Sequence, residues 1–280
     1  MMSGMKEIAR RQIQHTLAEG RPELKALYVL LRPAQRRTTA GVTDEYTASW
    51  QQHSENLDRA ATLADWLSIA GVDDRLAYYN IDGRPRRTVF NPAGFYRSAL
   101  LAAIRKHFPD ARSVTEYGCG LGRNLLELKR QMPELAVYGY ELCKPGVEIA
   151  RRAATRFGVD ASYAQLDYVR GPESDYVFPA TDIAFTMFSL EQLPDTNAIG
   201  MRNIHAHTRL GSIHIEPVVE NYPRSVHGAL GRIVHRKFDY LRDFEENVRS
   251  LGLECKERSL LARAHNPLMF PSLYVLTKKV

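Results

Sequence analysis

From residue 113 onward, short β-type runs alternate with stretches in which apolar residues recur every three to four positions, the pattern of βαβ units around a parallel sheet. Residues 114–117 read as the first strand, and the helix behind it carries Leu121, Leu125, Leu128 and Met132 as a seam toward the sheet. Residues 137–141 read as the second strand. Its helix starts at Pro145, turns Val147, Ala150, Ala154 and Phe157 to one face and ends at Gly158. Residues 162–165, 183–188 and 213–219 continue the series, with helix-compatible sequence over 197–208 between the last two. A final helix carrying Leu241, Phe244, Val248 and Leu251 is closed by Gly252. After it, 253–261 and 273–278 are two apolar runs with no helix between them, which predicts an antiparallel closing pair.

The first 90 residues have a different texture. Helical runs are broken by Gly20, Pro22, Pro33 and Gly41, and then by the turn-prone Asp82-Gly83-Arg84-Pro85. This predicts a helical N-terminal extension over 1–90, a candidate cap on substrate or cofactor, ahead of a catalytic domain over 91–280. One helix is expected over 54–70, where Leu57, Ala60, Ala61, Ala64 and Leu67 recur at helical spacing. Asn91-Pro92 opens a further apolar segment over 99–108, which stops at Pro109.

Composition narrows the class without choosing a chemistry. The chain has 280 residues, 44% of them hydrophobic and 25% charged, enough for an ordinary core. Lys6, Arg10 and Arg11 are not followed by an apolar run, so neither a signal peptide nor a membrane anchor is expected. Cys119, Cys143 and Cys255 lack metal-ligand spacing and suit a reducing compartment, so the cytoplasm is the expected location. The net charge of +6 includes clusters at Arg32, Arg36 and Arg37 and at Arg84, Arg86 and Arg87. No aromatic interleaving accompanies them, so a nucleic-acid partner is not expected, whereas an anionic small molecule is compatible with the charge. Nothing in the sequence specifies an oligomeric state.

The motif with chemical content is Glu116-Tyr117-Gly118-Cys119-Gly120-Leu121-Gly122, at a strand-to-helix turn. A β-carbon at these glycines would obstruct unusual backbone angles and keep the chain from approaching a ligand, and the open helix start offers free N–H groups. A dinucleotide turn, G-x-G-x-x-G/A, would place a small residue at position 123, where Arg123 stands. Glu141 ends the second strand, where a carboxylate can accept two ribose hydroxyls; this arrangement also serves nicotinamide enzymes.

The order E-x-G-x-G-x-G, then Glu141, then Gln165-Leu166-Asp167, then the 182–195 segment and the closing strand pair resembles the class I S-adenosylmethionine-dependent methyltransferases over residues 91–280. The resemblance implies an α/β fold, a Rossmann-like methyltransferase sheet that is mostly parallel with an antiparallel C-terminal strand, behind the helical N-terminal extension. It also implies S-adenosyl-L-methionine as cofactor and S-adenosyl-L-homocysteine as product. Glu116 would lie near the methionine end, Gly118, Gly120 and Gly122 at the turn, Glu141 at the ribose and Asp167 at the adenine, with Asn124, Leu142, Tyr168 and Phe188 also expected to bind the cofactor.

The acceptor is less legible, because methyl transfer needs mainly placement, with a base only where the attacking atom must lose a proton. Ligands of open α/β sheets bind beyond the strand ends, which makes Glu216 and Glu191 candidate catalytic residues, together with His227 in a candidate lid over 221–238. Glu216 reads equally well as a carboxylate held by backbone N–H groups. His205, His207 and His214 have no accompanying ligand set, so no metal site is expected. Residues 44–50, with Tyr46 and Trp50, either close over the cofactor or pack into the core. After the fourth strand stand Thr186-Met187-Phe188-Ser189 rather than the Pro-Pro-aromatic pattern of base-amine methylation. The expected activity is methyl transfer to a small-molecule acceptor at N, O or C. The alternatives are an RNA or protein methyltransferase and, further off, a nicotinamide-dependent oxidoreductase.

Overall fold

The computed structural model describes residues 22–31, 33–68, 76–170, 175–193 and 195–278. Lys6, Arg10, Arg11, Gly20, Arg32 and Ala70, noted above, and Pro194 of the 182–195 segment lie outside them.

The expected strands form a seven-stranded sheet. β3 (Ser113–Tyr117), β4 (Ala136–Glu141), β5 (Ser162–Gln165), β6 (Thr181–Met187) and β7 (Thr208–Glu216) run parallel. β10 (Ser272–Lys278) lies antiparallel between β7 and β8 (Leu253–Leu260), giving the order β5-β4-β3-β6-β7-β10-β8. The order reverses between β3 and β6, so a crevice opens where the carboxyl ends of β3, β4 and β6 diverge. β7 begins earlier than residue 213 and ends at Glu216 rather than at 219.

Helices cover both faces, as a parallel sheet requires. On one face α5 (Pro92–His107), α6 (Arg123–Gln131) and α7 (Lys144–Phe157) pack against Val114, Val137, Ile183, Phe185, Ile213 and Ile215. On the other, α8 (Asn197–Ala206) and α10 (Phe244–Ser250) pack against Ala184, Tyr274 and Leu276. Asn91 caps α5 by accepting from the Gly94 N–H at 2.7 Å, and Gly158, at φ 63°, ends α7 where the sequence placed it.

The N-terminal part departs from the expectation in two places. The helix expected over 54–70 is two, α3 (Ser54–Arg59) and α4 (Leu63–Ser68), because Thr62 and Asp65 cap each other: the Thr62 N–H donates to Asp65 Oδ2 at 2.8 Å and the Asp65 N–H to Thr62 Oγ1 at 3.1 Å. Residues 76–89, expected within a helical extension, form the antiparallel hairpin β1 (Leu76–Ile81) and β2 (Arg84–Val89). Asp82 and Gly83 both take positive φ, the geometry of a tight two-residue hairpin turn. β9 (Arg263–Ala264) adds a third strand beside β1, tying this region to the C-terminal part of the chain. Ahead of them, α1 (Pro22–Leu31) packs on α9 (Val226–Lys237), and α2 (Thr39–Gln52) packs on α7. The segment read as a lid over 221–238 therefore contains a helix docked on α1, with Val29, Val234 and Leu268 buried together. No helix among the described residues is long and apolar enough to cross a membrane.

Candidate functional site

The glycine turn forms because β3 delivers the chain into backbone angles that side chains resist. Gly118, Gly120 and Gly122 all have positive φ, and the Gly118 and Cys119 N–H groups both donate to the Tyr140 carbonyl at 2.8 and 2.9 Å. A β-carbon on Gly118 would stand 2.0 Å from Ser189 Oγ. One on Gly122 would stand 2.6 Å from the Tyr163 ring, so this third glycine serves the packing of α6 and β5 and does not line the cleft.

Beyond the turn lies a cleft of about 320 Å³. Its floor is Gly118 to Leu121, with Glu116 and Asn124 on one side, Glu141, Leu142 and Cys143 on another, and Tyr168, Phe188 and Ser189 beyond. Its roof is one face of α2: Val42, Tyr46 and Trp50, four residues apart, all line it. The rest of that helix is largely polar, so the i, i+4, i+8 apolar stripe was the available signal for the roof. Sequence reasoning considered Tyr46 and Trp50 and placed Phe188 to Gln192 along the site, but it missed Val42, Ala93 and Arg97 of α5, Arg123 and Leu193.

Two buried carboxylates flank the floor, and their surroundings differ. Glu141 is satisfied: Oε2 accepts from the Gly120 N–H at 2.8 Å and Oε1 from the Cys143 N–H at 3.0 Å. Burial raises its pKa, and those two N–H groups pull it back. Glu116 is fully buried, with Oε1 accepting from Asn124 Nδ2 at 2.7 Å, while Asn124 Oδ1 accepts from Arg97 Nε at 3.1 Å. Its other oxygen, Oε2, is buried without a hydrogen-bond partner. Burial pushes Glu116 up to about 8, with Asn124 and Arg97 pulling it down and Glu141 adding to the rise.

Phe188 follows β6 at φ 56°, a left-handed conformation that costs a residue with a β-carbon on the order of 1–3 kcal/mol unless its surroundings impose it. They do: its N–H donates to the Ile215 carbonyl at 3.0 Å and its ring meets Tyr96 edge-on with centroids 4.8 Å apart. Tyr168 shares a 2.9 Å hydrogen bond with Ser189.

The other candidates from the sequence lie elsewhere. Asp167 turns back on its own loop, accepting from the Val169 N–H at 3.1 Å with Arg170 at 3.7 Å, and is absent from the cleft lining. Glu216 is fully buried and caps the 3₁₀ turn Leu190–Gln192: Oε1 accepts from the Ser189 and Leu190 N–H groups at 3.0 Å each, and Oε2 from the Glu191 N–H at 3.2 Å. Burial raises it to about 7 against these donors. Glu191 accepts from Gln192 Nε2 at 2.7 Å on Oε1, while Oε2 is buried without a partner, and burial with Glu216 alongside holds its pKa well above the usual carboxylate range. Neither lines the cleft, nor does His227, half-buried in the first turn of α9.

His205 and His214 lie in one buried hydrogen-bonded chain that reaches Glu216 through Thr186. Ser212 Oγ bridges His205 Nε2 and His214 Nε2 at 2.9 and 2.7 Å, and His214 Nδ1 meets Thr186 Oγ1 at 2.9 Å. Burial lowers His205 to about 4 and His214 to about 3, so both are neutral at pH 7. His207 instead meets the Phe178 carbonyl at 3.0 Å.

Residues 114–211, which span the glycine turn, both flanking carboxylates and the chain through β6, match the family model described as a methyltransferase domain. Over that stretch, about a third of the chain, the sequence is similar to a methyltransferase domain. No curated protein sequence matches the chain. Among solved structures it is similar to magnesium protoporphyrin IX methyltransferase from Synechocystis PCC 6803 with bound SAH, at TM-score 0.56 and 10% identity over 86% of this chain and 100% of that one. It is similar to the (4+2)-cyclase SpnF, at TM-score 0.58 and 16% identity over 89% and 98%, and to the methyltransferase domain of bacterial CtHen1-C, at 0.52 and 18% over 68% and 100%. At these identities the likeness establishes a common methyltransferase fold, including the mostly parallel sheet and its antiparallel closing strand.

Proposed function

We propose that this methyltransferase domain uses S-adenosyl-L-methionine to methylate a small-molecule acceptor in the roofed cleft. The observation that carries the cofactor reading is the orphaned oxygen of Glu116. A buried carboxyl with an empty acceptor position beside a glycine-lined cleft calls for a donor from a ligand, since leaving it unmade costs about 1–3 kcal/mol. An ammonium group fits that position, and Glu141 offers its remaining lone pairs to a diol across the glycine turn. S-adenosylmethionine carries both groups, and it supplies a methyl on a sulfonium sulfur.

In this reading Glu116 and Asn124 hold the amino-acid end, Gly118 and Gly120 let the backbone approach, and Glu141 with Leu142 holds the ribose. Tyr168 and Phe188 bound the remaining space, and Trp50 closes it from above. Gly122 acts through packing, and Asp167 shapes its loop. The domains divide as residues 1–90, whose α2 supplies the roof, and residues 91–280, which supply the floor. Glu216 positions the turn bearing Ser189 and Gln192. Glu191 lies within that turn, where it feels the charges of Tyr46 and Arg37. It does not line the cleft, and with its pKa held well above the usual carboxylate range it is not a ready proton acceptor, so it acts with Glu216 in shaping the turn. His227 has no role in the cleft in this arrangement.

The face of α2 that roofs part of the cleft favours a small acceptor, since a folded protein or a duplex would have to displace it to reach the glycine turn. The test is isothermal titration of the purified chain with S-adenosylmethionine, S-adenosylhomocysteine and NADH. Binding of the two sulfur ligands and none of NADH is expected; NADH binding alone would overturn the reading.

A further inference from the structure

A second cavity of about 380 Å³ lies against the first and shares Gln192 and Leu193 with it. Its other walls are Arg36 and Arg37, Thr38 and Thr39 at the start of α2, Thr196 at the start of α8, Arg170 and Asp195. Three guanidinium groups face one carboxylate, and that carboxylate is already held by Arg242 at 2.5 Å, with Arg36 at 3.8 Å.

Arg37 decides what the cavity takes. Its side chain is 11% exposed, yet among the described residues its nearest carboxylate is the exposed Glu45, 3.8 Å away. Its guanidinium donates to the Phe238 carbonyl at 3.2 Å and to Gln192 Oε1, and lies 4.8 Å from the centre of the Tyr240 ring. All of these partners are neutral. Its ion pair with Glu45 is long and exposed, and the buried Glu191 that also feels its charge is held toward the neutral form, so an anion brought to this buried cation would be held strongly. Arg36 and Arg170, by contrast, are 84% and 78% exposed and their ion pairs, at 3.8 and 3.7 Å, are of the kind worth little, so both can turn to a ligand. The starts of α2 and α8 add the positive ends of two helices to the same space.

Building on the cofactor reading above, we propose that the methyl acceptor carries an anionic group, a carboxylate or a phosphate, seated among Arg36, Arg37 and Arg170 while its accepting end reaches past Gln192 into the cleft. Gln192 is then the gatepost between the two spaces, fixed by Arg37 on one side and exposed to the cleft on the other. The acceptor's charge is read some distance from its reacting atom, so affinity and methyl placement are set by different residues.

The test is calorimetric titration of the full chain with sodium phosphate and, separately, sodium acetate, at constant ionic strength, with and without bound S-adenosylhomocysteine. The double variant Arg36→Glu, Arg170→Glu alters only exposed side chains. Wild type is expected to bind anion, and the double variant to bind it at least about tenfold more weakly while its S-adenosylhomocysteine affinity stays within about twofold. Binding of phosphate alone identifies a phosphorylated acceptor; comparable binding of acetate identifies a carboxylate. No anion binding by wild type, or equal binding by the variant, would overturn the proposal. Failure of S-adenosylhomocysteine to bind wild type would instead sink the cofactor reading, and the titrations without it separate the two.

Discussion

Four glutamates end strands or follow them closely, and they fall into two pairs with opposite uses. Glu116 and Glu141 sit at the ends of β3 and β4 and line the cleft; Glu216, at the end of β7, and Glu191, just beyond β6, do not. The difference is where the donors are. Glu216 is saturated by three backbone N–H groups of the turn it caps, whereas Glu116 keeps an oxygen that no protein group satisfies. A strand-end acid is thus a ligand-binding group or a structural cap according to how many backbone donors its own fold brings to it.

The largest effect should come from breaking the cap. Glu216→Ala strands three buried N–H donors, each worth about 1–3 kcal/mol, so urea unfolding should show a loss on the order of 3 kcal/mol. Glu116→Ala removes a buried carboxyl that was half unpartnered and should change stability by less than about 1 kcal/mol. Equal losses in the two variants would erase the distinction. The pH dependence has a definite sign: Glu216, raised to about 7, folds at a cost that grows as it ionises, so its contribution weakens stability as pH climbs from the usual carboxylate range through 7. Glu216→Gln should remove that slope.

The next effect belongs to the cleft pair. Glu141→Ala deletes the diol acceptor and leaves the Gly120 and Cys143 N–H groups unpaired, and S-adenosylhomocysteine affinity should fall about 100-fold in titration, near 2.7 kcal/mol. A smaller loss is expected at the roof. Trp50 lies 3.1 Å from where a β-carbon on Gly120 would stand, so Trp50→Ala should open the cleft and weaken the same ligand by about tenfold. An unchanged affinity would mean that α2 packs there without covering the ligand.

Much of this was legible in the chain because its signals are local. The alternation of strands and helices, the caps at Asn91 and Gly158 and the glycine turn depend on neighbours within a few residues. The hairpin over 76–89 was missed because Arg84, Arg86 and Arg87 make β2 polar on both faces, leaving no period-two stripe; Asp82-Gly83 was the usable sign. The role of Glu216 was undecidable for another reason. The alternation of β7 puts Ser212, His214 and Glu216 on one face and Ile213 and Ile215 on the other, but the donors to Glu216 come from residues 189–191, some 25 positions away. Asp167 looked like an adenine contact because a motif fixes a position, not a side-chain direction. SpnF, a cyclase of similar fold, makes the same point for whole domains: the sheet places a cleft, and the residues in it set the chemistry.

The finest test of the comparison counts protons rather than energy. With its pKa near 8, Glu116 is mostly protonated at pH 7 in the free protein. A ligand ammonium placed at its vacant oxygen would favour the carboxylate and lower that pKa, so binding S-adenosylhomocysteine at pH 7 should release a substantial part of one proton. Calorimetry in two buffers of different ionisation enthalpy reads that number directly. The released fraction should shrink as pH rises past 8, where the carboxyl is already ionised before binding, and should vanish in Glu116→Gln, which should still bind, only a few-fold more weakly. The release should survive in Glu216→Gln, because Glu216 keeps its three backbone donors whether or not the ligand is present. Proton release that follows Glu216 instead of Glu116 would reverse the two roles and make the capped acid, not the orphaned one, the group that senses the cofactor.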